Sequence, residues 1–460
     1  MTPRARALRL PAASTISLAA LTAITTRCTG GPSRLPARGV SSTGPTADSR
    51  PRELLTLPTS PAPSAHVVAT AVPEATPAAA LGYLEGTARL ESLFRSLSAL
   101  EGAPEGGASG DAVRILQYGD SHTAGDLGVS VFRRALQARF GDGGRGFVPL
   151  GRPWRGYWQD GLRTGMSEEF AASKIALGGG PPAAGGAFGL LGVGIETTAA
   201  DALAWTDVAA PSSRVEIDYW RQPGGGSFDV LVDDVKTARV TSKATAAGSG
   251  FFGVDVLEAP HKVTIRTAGD GPVRVFGMTL DRGRGVVVDA LGIVGAQIST
   301  PLRWREAHFA EQVARRAPSL VILAYGTNEA VATTLTDAEY EQTSRQLLGR
   351  VARAAPDASC LLLGPPDLAR RAGERGDWTT VPRLLEIVAM ERRIAAEAGC
   401  AFYDQLAAMG GAGSIAAWAS EPEPRAREDR VHLRPSGYAQ IATSFAADLL
   451  HAYDAWRCQN

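Results

Sequence analysis

One short stretch decides the fold, VRILQYGDSH at positions 113–122. Its first six residues form an apolar run of the length of a buried strand. The polar turn GDSH (119–122) follows the run directly. This order predicts a strand that delivers Ser121 onto a tight turn at the end of a sheet, where a serine can act as a nucleophile. The alternative is an ordinary turn in which Asp120 and Ser121 cap backbone groups and do no chemistry.

The segments around this stretch alternate between helical and strand patterns. Apolar periodicity predicts a helix over 81–100 before the strand and a second helix that ends at Gly141 after it. From position 285 the same alternation resumes, with predicted strands at 286–291, 320–325, 360–363 and 401–403 and predicted helices at 303–316, 336–354, 381–399 and 435–455. Continuous apolar strands between helices predict an α/β fold of three layers, a parallel sheet covered by helices on both faces.

The sequence between these two parts has a different texture. Short runs with period-two alternation, separated by Gly, Pro and Asp, lie at 214–220, 228–232, 261–266 and 273–278. Such runs predict an antiparallel all-β sandwich. We therefore expect an α/β domain formed by 81–153 and 285–460, interrupted by a β-sandwich at 154–284.

The N-terminal part predicts export. Three arginines precede a mildly apolar stretch in residues 1–28, and residues 29–80 form a linker rich in Pro, Ser and Thr. Cys28 lies between the two, which resembles a bacterial lipoprotein, although Arg27 stands where that pattern has a small residue. Lipid attachment at Cys28 and plain secretion both stay open. In either case we expect an exported protein, periplasmic or associated with the cell envelope.

Composition excludes some partners. The 460 residues contain 47 Lys and Arg and 47 Asp and Glu, so the chain has no net field to attract nucleic acid. No cluster of Cys and His has zinc spacing, and neither a metal nor a cofactor is expected. Cys360 and Cys400 each open a predicted strand. They can form a disulfide if the strands are neighbours in a parallel sheet, or remain two buried thiols.

Two further positions are candidates for holding an oxyanion. Gly295 and Asn328 each follow a predicted strand, and with the Ser121 N–H they can supply hydrogen-bond donors to developing negative charge. For Gly292 and Gly295 the alternative is turn geometry. For Asn328 the alternative is capping of a short helix.

Asp429 and His432 lie three residues apart, just before the helix that Pro435 opens. The carboxylate can hold one imidazole nitrogen while the other nitrogen faces the serine, which gives a catalytic triad of Ser121, His432 and Asp429. The alternatives are a zinc pair, for which no third ligand has suitable spacing, and a solvated loop with a capping Asp.

The blocks Gly-Asp-Ser, Gly, Gly-x-Asn and Asp-x-x-His occur in the order typical of the SGNH/GDSL hydrolase superfamily, which the chain resembles over about 85–150 and 285–455. The resemblance implies a flavodoxin-like α/β fold, with Ser121, Gly295, Asn328 and His432 as the four block residues. His122 stands where the superfamily has leucine. This histidine and the large insertion resemble bacterial peptidoglycan O-acetylesterases, in which a carbohydrate-binding-like β-sandwich interrupts the hydrolase domain.

That resemblance implies an exported carbohydrate esterase that removes O-acetyl groups from peptidoglycan through an acetyl-serine intermediate. The implied partner is an acetylated polysaccharide or peptidoglycan substrate, with no nucleic acid and with membrane attachment only through a lipid on Cys28. The sequence leaves open an O-acetyltransferase on the same fold, an esterase for another ester, and a glycan-binding protein without activity. Aromatic residues at 154, 157 and 158 are candidates for stacking on sugars, whereas of Tyr219 and Trp220 one is expected in the core.

Overall fold

The computed structural model describes residues 82–102, 112–175, 183–371, 373 and 376–460. The predicted export signal, the predicted linker and Cys28, the candidate site of lipid attachment, lie outside the described residues. Within the described part of the chain, none of the helices combines the length and the apolar character that a membrane span requires.

The strands are numbered in chain order. They are β1 Leu84–Glu85, β2 Val113–Gly119, β3 Gly144–Val148, β4 Leu162–Met166, β5 Ala171–Lys174, β6 Val193–Thr197, β7 Ala200–Arg221, β8 Ser227–Val232, β9 Val235–Thr241, β10 Gly248–Ala268, β11 Val273–Asp281, β12 Val286–Gly292, β13 Leu320–Ala324, β14 Ser359–Leu363, β15 Ala369–Arg371, β16 Trp378–Thr380 and β17 Ala401–Tyr403.

The α-helices are α1 Glu91–Gly102, α2 Ser121–Ala124, α3 Leu127–Phe140, α4 Glu306–Arg316, α5 Asp337–Ala354, α6 Pro382–Ala398, α7 Gln405–Met409, α8 Ser414–Ala419 and α9 Pro435–Arg457. Short 3₁₀ turns cover Thr87–Leu90, Ala183–Gly186, Thr300–Arg303 and Glu329–Val331. The helix predicted over 303–316 is interrupted: its first residue belongs to a 3₁₀ turn, and α4 begins only at Glu306.

A six-stranded sheet forms the centre of the α/β part, in the order β1-β17-β14-β13-β2-β12. The four pairings among β17, β14, β13, β2 and β12 are parallel, and only β1 pairs antiparallel, with β17. Alternate residues of β2 face opposite sides, because Leu116 and Tyr118 pack with α4, α5 and α6, whereas Val113 and Ile115 pack with α1, α3 and α9. The predicted three-layer α/β fold is therefore confirmed.

A second sheet is formed by strands that lie between the two halves of the α/β part in the sequence. Nine strands from β3 to β11 form it, all paired antiparallel, with β7 and β10 as its long central pair. One apolar cluster, which includes Ile217, Val263 and Met278, fills its interior. The strand β3 joins this sheet through β11, so strand pairing begins upstream of the expected boundary at 154. Its assignment as a sandwich domain stays a prediction.

Buried ion pairs fasten the two sheets to each other. Arg316 at the end of α4 contacts Asp289 of β12 (Nε–Oδ2, 2.7 Å) and Asp281 of β11 (Nη1–Oδ2, 2.7 Å). The Asp289 carboxylate also accepts the backbone N–H of Phe147 in β3 at 2.7 Å. All these groups are largely removed from solvent, so the second sheet is held in a fixed position against β12, the strand that leads to Gly295.

Cys360 and Cys400 form a disulfide, so the alternative of two separate thiols is wrong. β14 and β17 are parallel neighbours, with Leu361 opposite Ala401, and this register brings Cys360 and Cys400 to a Cα–Cα distance of 4.8 Å. The disulfide closes a loop that contains α6. It fixes two strands of the central sheet to each other.

Candidate active site

The candidate residues meet at one edge of the central sheet. Ser121 follows β2, Gly295 follows β12 and Asn328 follows β13. Since β12 and β13 flank β2 on its two sides and run parallel to it, their carboxyl ends meet at this edge. In open α/β sheets this is the position at which ligands bind.

Ser121 lies at the start of α2, in contact with the loop that precedes α9. The Nε2 of His432 is 3.0 Å from the Oγ of Ser121, and the Nδ1 of His432 is 2.8 Å from the Oδ2 of Asp429. Both distances are those of hydrogen bonds. The structure thus brings the three predicted residues together in the order serine, imidazole, carboxylate.

Local backbone contacts fix the carboxylate of Asp429. Its Oδ1 accepts the N–H groups of Val431 at 3.0 Å and His432 at 2.9 Å, which leaves Oδ2 for the imidazole. Although burial acts to raise the pKa of Asp429, the hydrogen bonds from His432 and Val431 hold it below its usual value. Asp429 is therefore ionised at neutral pH and orients the ring of His432.

Asn328 does not cap the 3₁₀ turn that follows it, so the capping alternative is wrong. Its Nδ2 donates to the backbone oxygen of Ala296 at 2.8 Å and lies 3.3 Å from the Oδ2 of Asp120. The first bond ties Asn328 to the loop that contains Gly295. The second bond ties it to the residue before Ser121, so the amide lies between the two other candidate donors.

The backbone donors of the predicted oxyanion hole are unoccupied. Within the part of the chain that the structure describes, neither the N–H of Ser121 nor that of Gly295 donates a hydrogen bond. Gly295 has a φ of 79°, in the left-handed region that favours glycine, which supports turn geometry there. Gly295 can therefore both form the turn and donate to an oxyanion, since the turn leaves its N–H without an acceptor among the described residues.

Gly292 serves close approach and not turn geometry. It ends β12 without a positive φ, and a Cβ at this position would lie 2.2 Å from the backbone nitrogen of Ala124. Only a glycine therefore allows β12 to pack this tightly against α2. The turn-geometry explanation for Gly292 is wrong, and its effect on Ser121 is to hold the helix that carries it.

Glu329 is a part of the site that the sequence analysis missed. This buried carboxylate accepts the N–H of Ile298 at 2.6 Å and the N–H of Gly326 at 3.0 Å, so it joins the loop after β12 to the loop after β13. Burial raises its pKa to about 7. The signal was its place directly after Asn328, but nothing in the sequence shows that its side chain turns inward.

Asp120 and His122, on either side of Ser121, are also held in place. The buried Asp120 accepts the N–H of His122 at 2.9 Å, and burial raises the pKa of Asp120 to about 6. The Nδ1 of His122 is 3.0 Å from the hydroxyl of Tyr438. Burial is the main cause that lowers the pKa of His122 to about 3, and the charge of the nearby His432 lowers it further. His122 is thus neutral at neutral pH and adds no positive charge beside the ring of His432.

The aromatic candidates for stacking on sugars differ in their exposure to solvent. Tyr219 and Trp220 are both buried, on opposite faces of β7, so the expectation that only one belongs to the core is wrong. Trp220 is covered because it packs edge-on against His308 of α4. Tyr157 is buried as well, whereas the side chain of Trp158 is 53% exposed.

Known proteins resemble this chain in sequence pattern and in fold. Residues 256–440 match the model of the GDSL-like Lipase/Acylhydrolase family, a range that contains Gly295, Asn328, Asp429 and His432. A solved structure described as "Peptidoglycan O-acetylesterase in action" is 27% identical with a TM-score of 0.64, over 81% of this chain and 98% of that one. No curated protein matches the sequence.

These matches support a serine esterase of the SGNH type. The similarity of this chain to the peptidoglycan O-acetylesterase extends over nearly the full length of that structure. Two family two carbohydrate esterases also share similarity, from Clostridium thermocellum (10% identity, TM-score 0.26, 56% of this chain and 94% of that one) and from Cellvibrio japonicus (13%, 0.25, 64% and 98%).

Proposed function

We propose that this esterase is exported and removes O-acetyl groups from cell-wall glycan, with peptidoglycan as the substrate. The observation that carries the proposal is the continuous hydrogen-bonded line from Ser121 Oγ through His432 to Asp429, with distances of 3.0 and 2.8 Å. The 27% identical peptidoglycan O-acetylesterase structure supports the choice of substrate. The location in the periplasm or cell envelope, and lipid attachment at Cys28, belong to the same proposal.

The proposed reaction has two steps. His432 Nε2 takes the proton of Ser121 as Oγ attacks the acetyl carbonyl, and Asp429 stabilises the imidazolium that forms. The N–H groups of Ser121 and Gly295 and the amide of Asn328 hold the oxyanion. His432 then returns the proton to the sugar oxygen, which leaves as the hydroxyl, and acetyl-serine remains. In the second step water attacks with His432 as the base, and acetate and free serine are formed.

The amide of Asn328 must change partners for this role. In the structure its two N–H groups point to Ala296 O and Asp120 Oδ2. The contact with Asp120 is the longer, at 3.3 Å, and is the one that an oxyanion can replace. The contact with Ala296 then continues to fix the side chain. A donor held in this way is worth about 3 kcal/mol to the transition state.

Acetate release from purified O-acetylated peptidoglycan tests the proposal, with the protein beside its Ser121→Ala variant. We expect release by the first and none by the second. Hydrolysis of an aryl acetate that depends on Ser121, without release from peptidoglycan, would keep the chemistry and reject the substrate. Turnover that appears only when a second sugar is supplied as acceptor would instead identify an acetyltransferase.

A further inference from the structure

A cavity of about 380 Å³ is formed by the segment between residues 152 and 164. Its walls include Arg152, Trp158, Arg163 and Thr164, which all precede or belong to β4. Trp158 connects the cavity to the active site, because its ring would be 3.8 Å from a Cβ on Gly125. Gly125 ends α2, and that helix of four residues is about 6 Å long. The cavity wall formed by Trp158 therefore lies next to the C-terminal end of the helix that begins with Ser121.

Trp158 is the one Trp, Tyr or Phe side chain among the described residues with more than a third of its surface exposed, at 53%. A single exposed apolar residue is ordinary on a protein surface. This one differs because it forms a wall of a cavity and because the chain on both sides of it is fixed. An exposed ring that is rigidly held offers a flat apolar face to a ligand at little cost in conformational entropy.

The two neighbours of Trp158 provide that rigidity. Tyr157 is buried and packs edge-on against Trp154, with ring centroids 4.9 Å apart. Gln159 is buried too, donates to the backbone oxygen of Ala290 in β12 at 3.3 Å and accepts from Arg145 at 2.9 Å. The segment is thus attached to the strand that leads to Gly295, so the indole has a defined position relative to the catalytic edge.

The cavity also has one cation that is not neutralised. Arg163 is paired with Asp207, whereas Arg152 has no carboxylate partner among the described residues and makes only a 3.5 Å contact with the backbone oxygen of Thr164. A guanidinium in this state can bind a carboxylate of a ligand. An apolar face beside a free guanidinium suits a pyranose that carries, or lies next to, a carboxylate.

We propose that Trp158 and Arg152 form a subsite for the sugar adjacent to the acetylated one, with Trp158 stacked on the ring and Arg152 paired with a carboxylate of the glycan. This inference rests on the proposed function, because it assigns the second contact of the same substrate. Both residues are positioned to bind substrate and neither touches the reacting atoms. The subsite selects polymeric acidic glycan over small acetate esters.

Kinetics on two substrates test the subsite. Trp158→Ala and Arg152→Ala, in the full chain, are compared with Arg155→Ala, an exposed arginine in the same segment that does not line the cavity. We expect the ratio of kcat/KM for O-acetylated peptidoglycan to kcat/KM for an aryl acetate to fall about tenfold in both subsite variants, through KM, and to stay constant in Arg155→Ala. Trp158→Phe should recover part of the loss.

An unchanged ratio in Trp158→Ala would overturn the subsite while the proposed function stands. If both kcat/KM values stay at the wild-type level, Trp158 does not bind substrate, and if both fall equally, its role is in folding only. Co-sedimentation of the Ser121→Ala protein with insoluble peptidoglycan supplies a readout that needs no turnover. If the wild-type chain releases no acetate from peptidoglycan, the proposed function fails, and the subsite then stands or falls on whether this binding weakens in Ser121→Ala/Trp158→Ala.

Discussion

Asp429→Asn is the substitution whose effect can be worked out most fully from the structure. The Asn side chain can keep its oxygen on the N–H groups of Val431 and His432, which now bond to Oδ1 at 3.0 and 2.9 Å. Its NH₂ then faces the Nδ1 of His432, where a carboxylate oxygen lies at 2.8 Å. A donor at this position requires Nδ1 to be unprotonated, so the ring proton moves to Nε2. An Nε2 that carries a proton cannot accept one from Ser121.

The magnitude follows from two contributions. A hydrogen bond to a charged partner contributes about 1.5–3 kcal/mol, and the wrong tautomer adds to that loss. The side chains of His432 and Asp429 are 37% and 45% exposed, so water replaces part of the lost interaction and the effect stays below the roughly 10⁴-fold seen for a buried triad aspartate. We expect kcat to fall about 10²- to 10³-fold, which corresponds to about 3–4 kcal/mol.

The assay is hydrolysis of an aryl acetate at neutral pH by Asp429→Asn, with Glu428→Gln as the matched control. Glu428 is the adjacent exposed carboxylate, so its substitution removes the same charge without touching His432. The control should retain the activity of the unsubstituted chain. A kcat for Asp429→Asn within about threefold of the control would refute the assignment of Asp429 as the third member of the triad.

Three further predictions concern the framework of the site. Gly292→Ala places a Cβ 2.2 Å from the backbone of Ala124, so we expect urea titration to show a loss of about 1–3 kcal/mol in the free energy of unfolding, together with a fall in kcat. The control is Gly349→Ala in α5, where the added Cβ would lie 3.4 Å from its nearest neighbour, and this change should be neutral or stabilising. Equal effects of the two substitutions would contradict the close packing of α2. Replacement of Cys360 and Cys400 by alanine should lower the free energy of unfolding by about 3–4 kcal/mol, and a change below about 1 kcal/mol would show that the bond does not restrain the unfolded chain. Burial raises the pKa of Glu329 from 4.5 to about 7, so the stability that protonated Glu329 contributes is complete below about pH 4.5 and is lost as the pH rises through about 7. The free energy of unfolding of a Glu329→Gln chain should lack about 3 kcal/mol of this pH dependence. Identical pH slopes of the two chains in urea unfolding would disprove this role of Glu329.

The parts of the fold that the sequence predicts correctly are those with a strong local signal. β2, β12 and β13 are buried on both faces over most of their length, so each consists mainly of apolar residues, with Arg114 and Gln117 as exceptions in β2 and Asp289 in β12. The placement of Asp429 and His432 before α9 follows from Pro435, which opens the helix. The sequence left a disulfide between Cys360 and Cys400 open, and it is decided by β14 and β17 being parallel neighbours, with Leu361 opposite Ala401.

The parts that it misses depend on contacts distant in the chain. The predicted helix over 303–316 begins late because residues 304 and 305 bond to a segment that belongs to the second sheet region. The indole N–H of Trp304 donates to the backbone oxygen of Gly189, and the backbone N–H of Arg305 donates to the backbone oxygen of Gly186. Trp220 is buried by α4, which no period-two pattern in β7 can indicate. Glu329 turns inward because two loops offer it N–H groups, and an acidic residue near a helix start is otherwise expected in solvent.

The central claim is that Ser121 forms an acetyl-enzyme with the help of His432. Mass spectrometry of the protein quenched during turnover of an acetyl ester tests it directly, with peptide mapping of the site of modification. We predict one added acetyl group, on the peptide that contains Ser121, and none in the Ser121→Ala chain. An acetyl group on another residue, or continued turnover by Ser121→Ala, would contradict the account.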